Sequence, residues 1–173
     1  WNIVNFRMGL IEALKQQGYR IVTAAPEDAY TSKLQAKVDR HISLPMQGDG
    51  TSLFGELRLM YRYLQLLREV KPAVFLTYTI KPNIYGSFAA RMLGIPIINN
   101  VSGLGTAFIR NNWLTHLVKR LYRAAFRSSA CVFFQNSEDR DLFIQMKLVR
   151  PERVALIPGS GVDLDFFSPS DGA

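Results

Sequence analysis

The polar residues with the greatest capacity for chemistry in this chain stand where apolar runs end. Thr79-Ile80-Lys81-Pro82-Asn83 follows the run AVFLTY (73–78) and sets a hydroxyl, a cation and a carboxamide close together. Polar loops at the ends of buried elements are frequent carriers of function. Lys81 suits a phosphate or is an ordinary loop lysine, and Asn83 suits a ligand or caps the next helix. Asn99 and Asn100 interrupt the run PIINNV (96–101), where strand alternation sends one carboxamide to each side. Two such amides suit sugar hydroxyls, or one of them makes a structural bond. Directly after them, the amides of Ser102-Gly103-Leu104-Gly105 can cradle a phosphate or a sugar, or the glycines serve only the turn. The loop is not a dinucleotide fingerprint. The third glycine of that motif would fall on Phe108, and no acid follows at the required distance.

Acid–base groups are scarce. The histidines are His41, at the start of a strand, and His116, on a helix flank; structural roles fit both. Glu138, Asp139 and Asp141 share the first turn of a helix, where carboxylates stabilise the dipole whatever else they do. Asp163-Leu164-Asp165 has the spacing of a metal motif but lies in a turn-rich tail. Cys131 is a single thiol in an apolar run, expected to be buried and inert. With no cluster of Cys and His at ligand spacing, no metal site is expected, and no residue is assigned as the catalyst.

The elements that must position these groups alternate in period. Phe6, Leu10 and Leu14 predict a helix over 3–17, ended by Gly18. Strands are predicted at 19–25, 41–44, 73–78, 96–101, 130–135 and 154–157. Helices are predicted at 28–38, 83–93 and 137–147, with two strongly amphipathic ones besides. The first of these buries Leu53, Leu57, Met60, Leu64 and Leu67. The second, over 113–127, buries Trp113, Leu117, Leu121 and Ala125, with Leu114, Val118 and Phe126 beside them. Apolar strands alternating with helices indicate an α/β fold with a doubly wound parallel sheet covered on both faces, ligands lying beyond the strands' carboxyl ends.

Composition agrees with a globular domain: 173 residues, 48% hydrophobic and 20% charged. The net charge of +7 is unevenly spread. Between Glu69 and Glu138 there is no acid, while Lys71, Lys81, Arg91, Arg110, Lys119, Arg120, Arg123 and Arg127 fall in that stretch. Such a field attracts anions. Lys119, Arg120, Arg123 and Arg127 on one helix suit an anionic membrane surface, by charge rather than by the helix's apolar face. No nucleic-acid motif accompanies them, so nucleic acid is not an expected partner.

Three segments carry a family resemblance: Thr79-Ile80-Lys81-Pro82-Asn83-Ile84-Tyr85-Gly86, Asn99-Asn100-Val101-Ser102-Gly103-Leu104-Gly105, and Pro158-Gly159-Ser160-Gly161-Val162-Asp163. In this order and spacing the chain resembles the family 4 retaining glycosyltransferases of the GT-B fold, nearest to members building lipid-linked oligosaccharides, capsule or lipopolysaccharide. Trp1-Asn2-Ile3-Val4-Asn5-Phe6-Arg7 is similar to the loop and helix after that family's first strand. The resemblance implies a Rossmann-like N-terminal, acceptor-binding half over 1–157, lacking its first strand, with 158–173 leading towards a second domain. Such a half is expected to be inactive alone.

The reaction implied is retaining transfer of a hexose or N-acetylhexosamine. The donor is a nucleotide diphosphate sugar, a co-substrate rather than a cofactor. The acceptor is a polyprenyl-diphosphate-linked or lipid-anchored saccharide, reached from the inner face of the cytoplasmic membrane. The resemblance implies Asn5, Thr79, Lys81, Asn83, Asn99, Asn100, Ser102, Gly103 and Gly105 for the acceptor, and Gly159 and Gly161 on the donor side. Many members place a histidine near the sugar, but none lies between His41 and His116 here, leaving Asn100 as its stand-in. A UDP-sugar epimerase of the same architecture and a non-catalytic Rossmann-like binding module are the competing readings.

Overall fold

The computed structural model describes residues 1–46, 53–103 and 113–161. These fall into two compact units, one built on residues 1–46 together with Ser160 and Gly161, the other on residues 53–103 and 113–159. Among the described residues, six strands form two parallel sheets, where the sequence pattern suggests one.

The first unit holds α1 (Asn2–Phe6), α2 (Met8–Gln16), β1 (Val22–Ala25), α3 (Thr31–Gln35) and β2 (Arg40–Ser43). The single helix expected over 3–17 is broken at Arg7, whose φ of -130° and ψ of 0° leave the helical region. The break brings the Arg7 guanidinium inside, where Nη1 donates to the Phe6 carbonyl and to Ser160 Oγ at 2.9 Å. It also changes the buried face: Val4 and Ile11 pack with Leu34 and Val38, while Phe6 and Leu10 lie exposed. Strand β1 pairs with β2 in parallel, Thr23 opposite His41.

The second unit is a four-stranded parallel sheet in the order β3 (Phe75–Tyr78), β4 (Ile97–Val101), β5 (Cys131–Phe134), β6 (Val154–Leu156). Around it run α4 (Leu53–Val70), a π-helical turn (Pro82–Gly86) continuing into α5 (Ser87–Met92), α6 (Trp113–Phe126), α7 (Ser137–Gln145) and a short 3-10 turn (Pro151–Arg153). The strand order is monotonic, and parallel crossovers are as a rule right-handed, which sets the intervening helices of such a sheet on one face. That face carries the core: Val101, Val132 and Phe134 of the sheet against Ile84, Tyr122, Phe126 and Phe143. The rings of Tyr122, Phe126, Phe134 and Phe143 meet edge-on or tilted at 5.0–6.3 Å between centroids, geometry that adds to simple burial.

Two helix faces differ from those the spacing predicts. In α4 the buried side chains include Leu59, Tyr63, Leu64, Leu66 and Leu67, and Leu57 is exposed. In α6 they are Thr115, Tyr122, Ala125 and Phe126, and Trp113 and Leu117 are exposed. Both helices have more apolar residues than one face can take, and packing chose the stripe nearest the sheet. Cys131 is half-buried rather than sealed, and burial pushes its thiol up.

Candidate functional site

The polar residues at the carboxyl ends of β3 and β4 divide into a sealed cluster and an open rim. Asn99 lies on the covered face of β4, fully buried, and its carboxamide is saturated. Its Nδ2 donates to Thr77 Oγ1 at 2.7 Å and Ser87 Oγ at 2.9 Å, and its Oδ1 accepts from Ser129 Oγ at 2.5 Å. Thr77 Oγ1 donates in turn to Asn83 Oδ1 at 2.7 Å, while Asn83 Nδ2 donates to the Asn100 carbonyl at 2.9 Å. Ser87 Oγ closes the cluster on the Asn83 carbonyl at 2.6 Å. Asn83 therefore does not cap a helix, as its position in sequence suggests. It sits inside the π turn and ties that turn to two strands.

This polar knot explains the π turn. A widened turn frees backbone groups that a side chain can satisfy, and Ser87 takes one of them. The turn also lies hard against β3: a Cβ added at Gly86 would stand 2.9 Å from Phe75 Cε1 and 3.3 Å from Thr77 Cγ2.

One residue beyond Asn99, the pleat turns Asn100 to the other side of the strand. Only 6% of Asn100 is exposed, yet its Oδ1 has no hydrogen-bond partner among the described residues. A buried unpaired acceptor costs about 1–3 kcal/mol, so an atom in that state is a strong candidate for meeting a donor from outside the protein. Thr79 ends β3 with a positive φ of 67°, its carbonyl accepting from Asn83 N at 3.1 Å and its side chain exposed. A strained non-glycine backbone at a strand's end is typical of binding loops. Ser102 and Gly103, just past β4, are exposed; Gly105 lies outside the described residues.

Lys81 lies beside these loops as half of an ion pair, its Nζ 3.0 Å from Glu56 Oε1. Glu56, in the first turn of α4, is the residue the sequence does not single out: among helix-start acids it looks like a partner of the dipole. The structure shows it part-buried, held by its ion pair with Lys81. Close by, burial pushes the Tyr85 phenol up to about 12, and the Glu56 charge adds to the rise. Lys81 is thus part of a cation–carboxylate–phenol group rather than an isolated positive charge.

The remaining sequence candidates are described each in its own surroundings. Asn5 donates to the Trp1 carbonyl at 2.9 Å in the first unit. Gly159 and Gly161 adopt positive φ of 81° and 76° around Ser160; the residues after Gly161, including Asp163 and Asp165, lie outside the described residues. On α6, Arg120 and Arg127 are exposed and Lys119 half-buried. Arg123 is tied down, donating to the carbonyls of Met146 and Lys147 at 2.7 and 3.0 Å, where it satisfies the end of α7. Among the described residues, no group of His, Cys, Asp and Glu is arranged to hold a metal ion, and no helix is long and apolar enough to cross a membrane.

Comparison with known proteins bears on this geometry. Residues 3–159 match the family described as a glycosyl transferase 4-like domain. The chain is 25% identical over 173 residues to the N,N'-diacetylbacillosaminyl-diphospho-undecaprenol alpha-1,3-N-acetylgalactosaminyltransferase of Campylobacter jejuni, covering 97% of this chain and 46% of that protein. It is 27% identical over 120 residues to the UDP-Gal:alpha-D-GlcNAc-diphosphoundecaprenol alpha-1,3-galactosyltransferase of Escherichia coli, covering 69% of this chain and 31% of that one. Among solved structures, Anabaena HepE in complex with UDP-glucose superposes with a TM-score of 0.67 at 18% identity, over 94% of this chain and 42% of that one. The last likeness is one of fold. The chain spans less than half the length of each of these relatives.

Proposed function

Because the chain belongs to the glycosyl transferase 4-like family, we propose that it forms the acceptor-binding half of a glycosyltransferase. The enzyme moves a hexose or N-acetylhexosamine from a nucleotide diphosphate sugar to a polyprenyl-diphosphate-linked saccharide. A new glycosidic bond forms at an acceptor hydroxyl, the nucleoside diphosphate leaves, and the anomeric configuration of the donor is retained. The relatives' names speak for an undecaprenyl-diphosphate-linked acceptor. The paired catalytic groups and most of the nucleotide contacts then belong to a second domain, and this half alone is inactive.

The observation that carries the reading is Asn100. Its buried Oδ1, unpartnered among the described residues, stands at the carboxyl end of a parallel strand, where α/β folds of this kind bind their ligands. A carboxamide oxygen in that state accepts a hydroxyl proton well, and saccharide hydroxyls are such donors. Thr79, Ser102 and Gly103 offer exposed polar groups on the same rim. Lys119, Arg120 and Arg127 provide the charge that holds the protein to the inner, anionic face of the cytoplasmic membrane, where such an acceptor resides.

The test is transfer of labelled sugar from UDP-hexose and UDP-N-acetylhexosamine to a polyprenyl-diphosphate-linked saccharide, using the protein extended to the length of those relatives. Asn100→Ala is expected to raise KM for the acceptor about tenfold, with KM for the donor little changed. An extended protein inert with every nucleotide sugar, or one that epimerises the donor without acceptor, would overturn the reading.

A further inference from the structure

Among the described residues at the carboxyl ends of β3 and β4, Lys81 is the one that carries a charge. Thr79, Asn100, Ser102 and Gly103 offer hydroxyls, a carboxamide and backbone groups, all of them neutral. Lys81 directly precedes the π turn and follows Tyr78 by one short loop, and Tyr78 pairs with Asn100 in the sheet register. Within the turn, Asn83 Nδ2 donates to the Asn100 carbonyl at 2.9 Å. Lys81 therefore belongs to the rim that holds Asn100.

Its charge does not act alone. The first turn of α4 packs Glu56 against this region, and Lys81 Nζ stands 3.0 Å from Glu56 Oε1, with 27% and 15% of the two side chains exposed. The same carboxylate is bonded to the Tyr85 hydroxyl, whose high pKa reflects burial first and the Glu56 charge second. Little water reaches the pair, so its two charges offset each other at short range with little screening. Tyr85 adds a bond to this group and no charge. The rim thus carries a clamped, neutral pair in place of a bare cation.

A neutral pair and a bare ammonium select different ligands. A diphosphate brings negative charge and acceptor oxygens; what it gains from Lys81 it loses against the neighbouring carboxylate. A saccharide brings hydroxyls, each able to donate and to accept. One hydroxyl donates to the Glu56 carboxylate while its neighbour accepts from the Lys81 ammonium. Both bonds are charge-assisted and stronger than bonds between neutral groups. Asn100 Oδ1 supplies one more acceptor on the same rim. The set suits neighbouring hydroxyls better than phosphate.

We propose that Glu56 is a specificity-determining residue: it cancels the charge of Lys81 and turns the pair towards neighbouring hydroxyls of the acceptor saccharide. The proposal rests on the acceptor-binding reading above and names what this rim recognises in the acceptor, the sugar and not the diphosphate.

Binding without turnover tests it, on the protein extended to the length of its relatives and with UDP at saturation to occupy the donor side. The probes are octyl N-acetylglucosaminide, a saccharide without phosphate, and inorganic pyrophosphate, a diphosphate without saccharide. A saturation-transfer NMR titration reads the first and calorimetry the second. Glu56→Gln should weaken the glycoside about tenfold, because an ionised acceptor is lost. It should tighten pyrophosphate about tenfold, because the ammonium is uncovered. Simple loss of packing does not move two ligands in opposite directions. Glu56→Gln combined with Lys81→Met exchanges one neutral pair for another, so pyrophosphate should return to its wild-type affinity while the glycoside stays weak. This double variant leaves neither charge stranded, and it reads the proposal even where Glu56→Gln alone does not fold.

Two shifts in the same direction, or two unchanged affinities, would make Glu56 a structural residue and overturn the proposal. So would a double variant that binds pyrophosphate more weakly than the wild type, since Lys81 would then be a phosphate cation. Transfer is read apart from these affinities. An extended protein that transfers sugar while Glu56→Gln moves both probes together sinks the specificity role and spares the transferase. One that binds the probes as expected and transfers nothing does the reverse.

Discussion

Asn99 and Asn100 are the same residue type, adjacent on one strand, and both are almost entirely inside the protein. One has both ends of its carboxamide bonded to Thr77, Ser87 and Ser129; the other has an oxygen with no hydrogen-bond partner among the described residues. The strand's pleat makes the difference, because it sends the first amide towards the π turn and the second away from it. A saturated buried amide builds structure, while an unsaturated one is available to a ligand. The contrast separates what holds the rim together from what the rim offers.

The contrast breaks most visibly at Asn99. Asn99→Ala removes three hydrogen bonds and leaves the Ser129 hydroxyl without its acceptor, so it should cost about 3 kcal/mol or more in urea unfolding. Asn100→Ala should change stability by less than about 1 kcal/mol, since the lost oxygen had no partner, while its effect falls on acceptor KM. Equal losses of stability from the two would erase the distinction.

Gly86→Ala tests the knot from its other side. The added methyl would press on Phe75 and Thr77 and should cost about 1–3 kcal/mol, read as a lower urea midpoint. Ser129→Ala makes Asn99 resemble Asn100 by leaving its Oδ1 unpartnered, at about 1–2 kcal/mol. Ser129→Thr keeps the hydroxyl but adds a methyl in a fully buried place, so it reports packing rather than bonding.

The smallest effect belongs to the first unit, where His41 offers a second incomplete polar group. Its Nδ1 lies 2.9 Å from Thr23 Oγ1 across the β1–β2 ladder, and its buried Nε2 has no hydrogen-bond partner among the described residues. Burial lowers its pKa below the ordinary 6.5, against the opposing pull of Glu27 and Asp28. Below that value the unfolded chain binds a proton that the folded unit resists, so stability falls with pH from about 6.5 through the depressed folded value, then levels off. Amide exchange of β1 and β2 should quicken over that window, and His41→Gln should flatten the dependence.

Much of this was legible in the residues themselves. Short apolar strands alternating with helices led to parallel α/β units, and polar residues at strand ends pointed to the rim. The sites of Thr79, Asn83, Asn99 and Asn100 stand out in the pattern because each breaks an apolar run or follows one. What the pattern did not reveal was partnership. Glu56 is separated from Lys81 by a helix and a strand, and Ser129 from Asn99 by α6, so no local spacing announces either contact. The stripes of α4 and α6 were misassigned for a related reason: each helix has apolar residues on more than one side, and periodicity alone does not say which side meets the sheet.

The sequence by itself determined the order and kind of the elements, because hydrophobic period, turn residues and charge distribution act locally along the chain. Only the tertiary structure decided which polar groups are bound within the protein and which remain available, because that depends on what folding brings within about 3 Å of each one. Asn99 and Asn100 are identical in one dimension and become different in three.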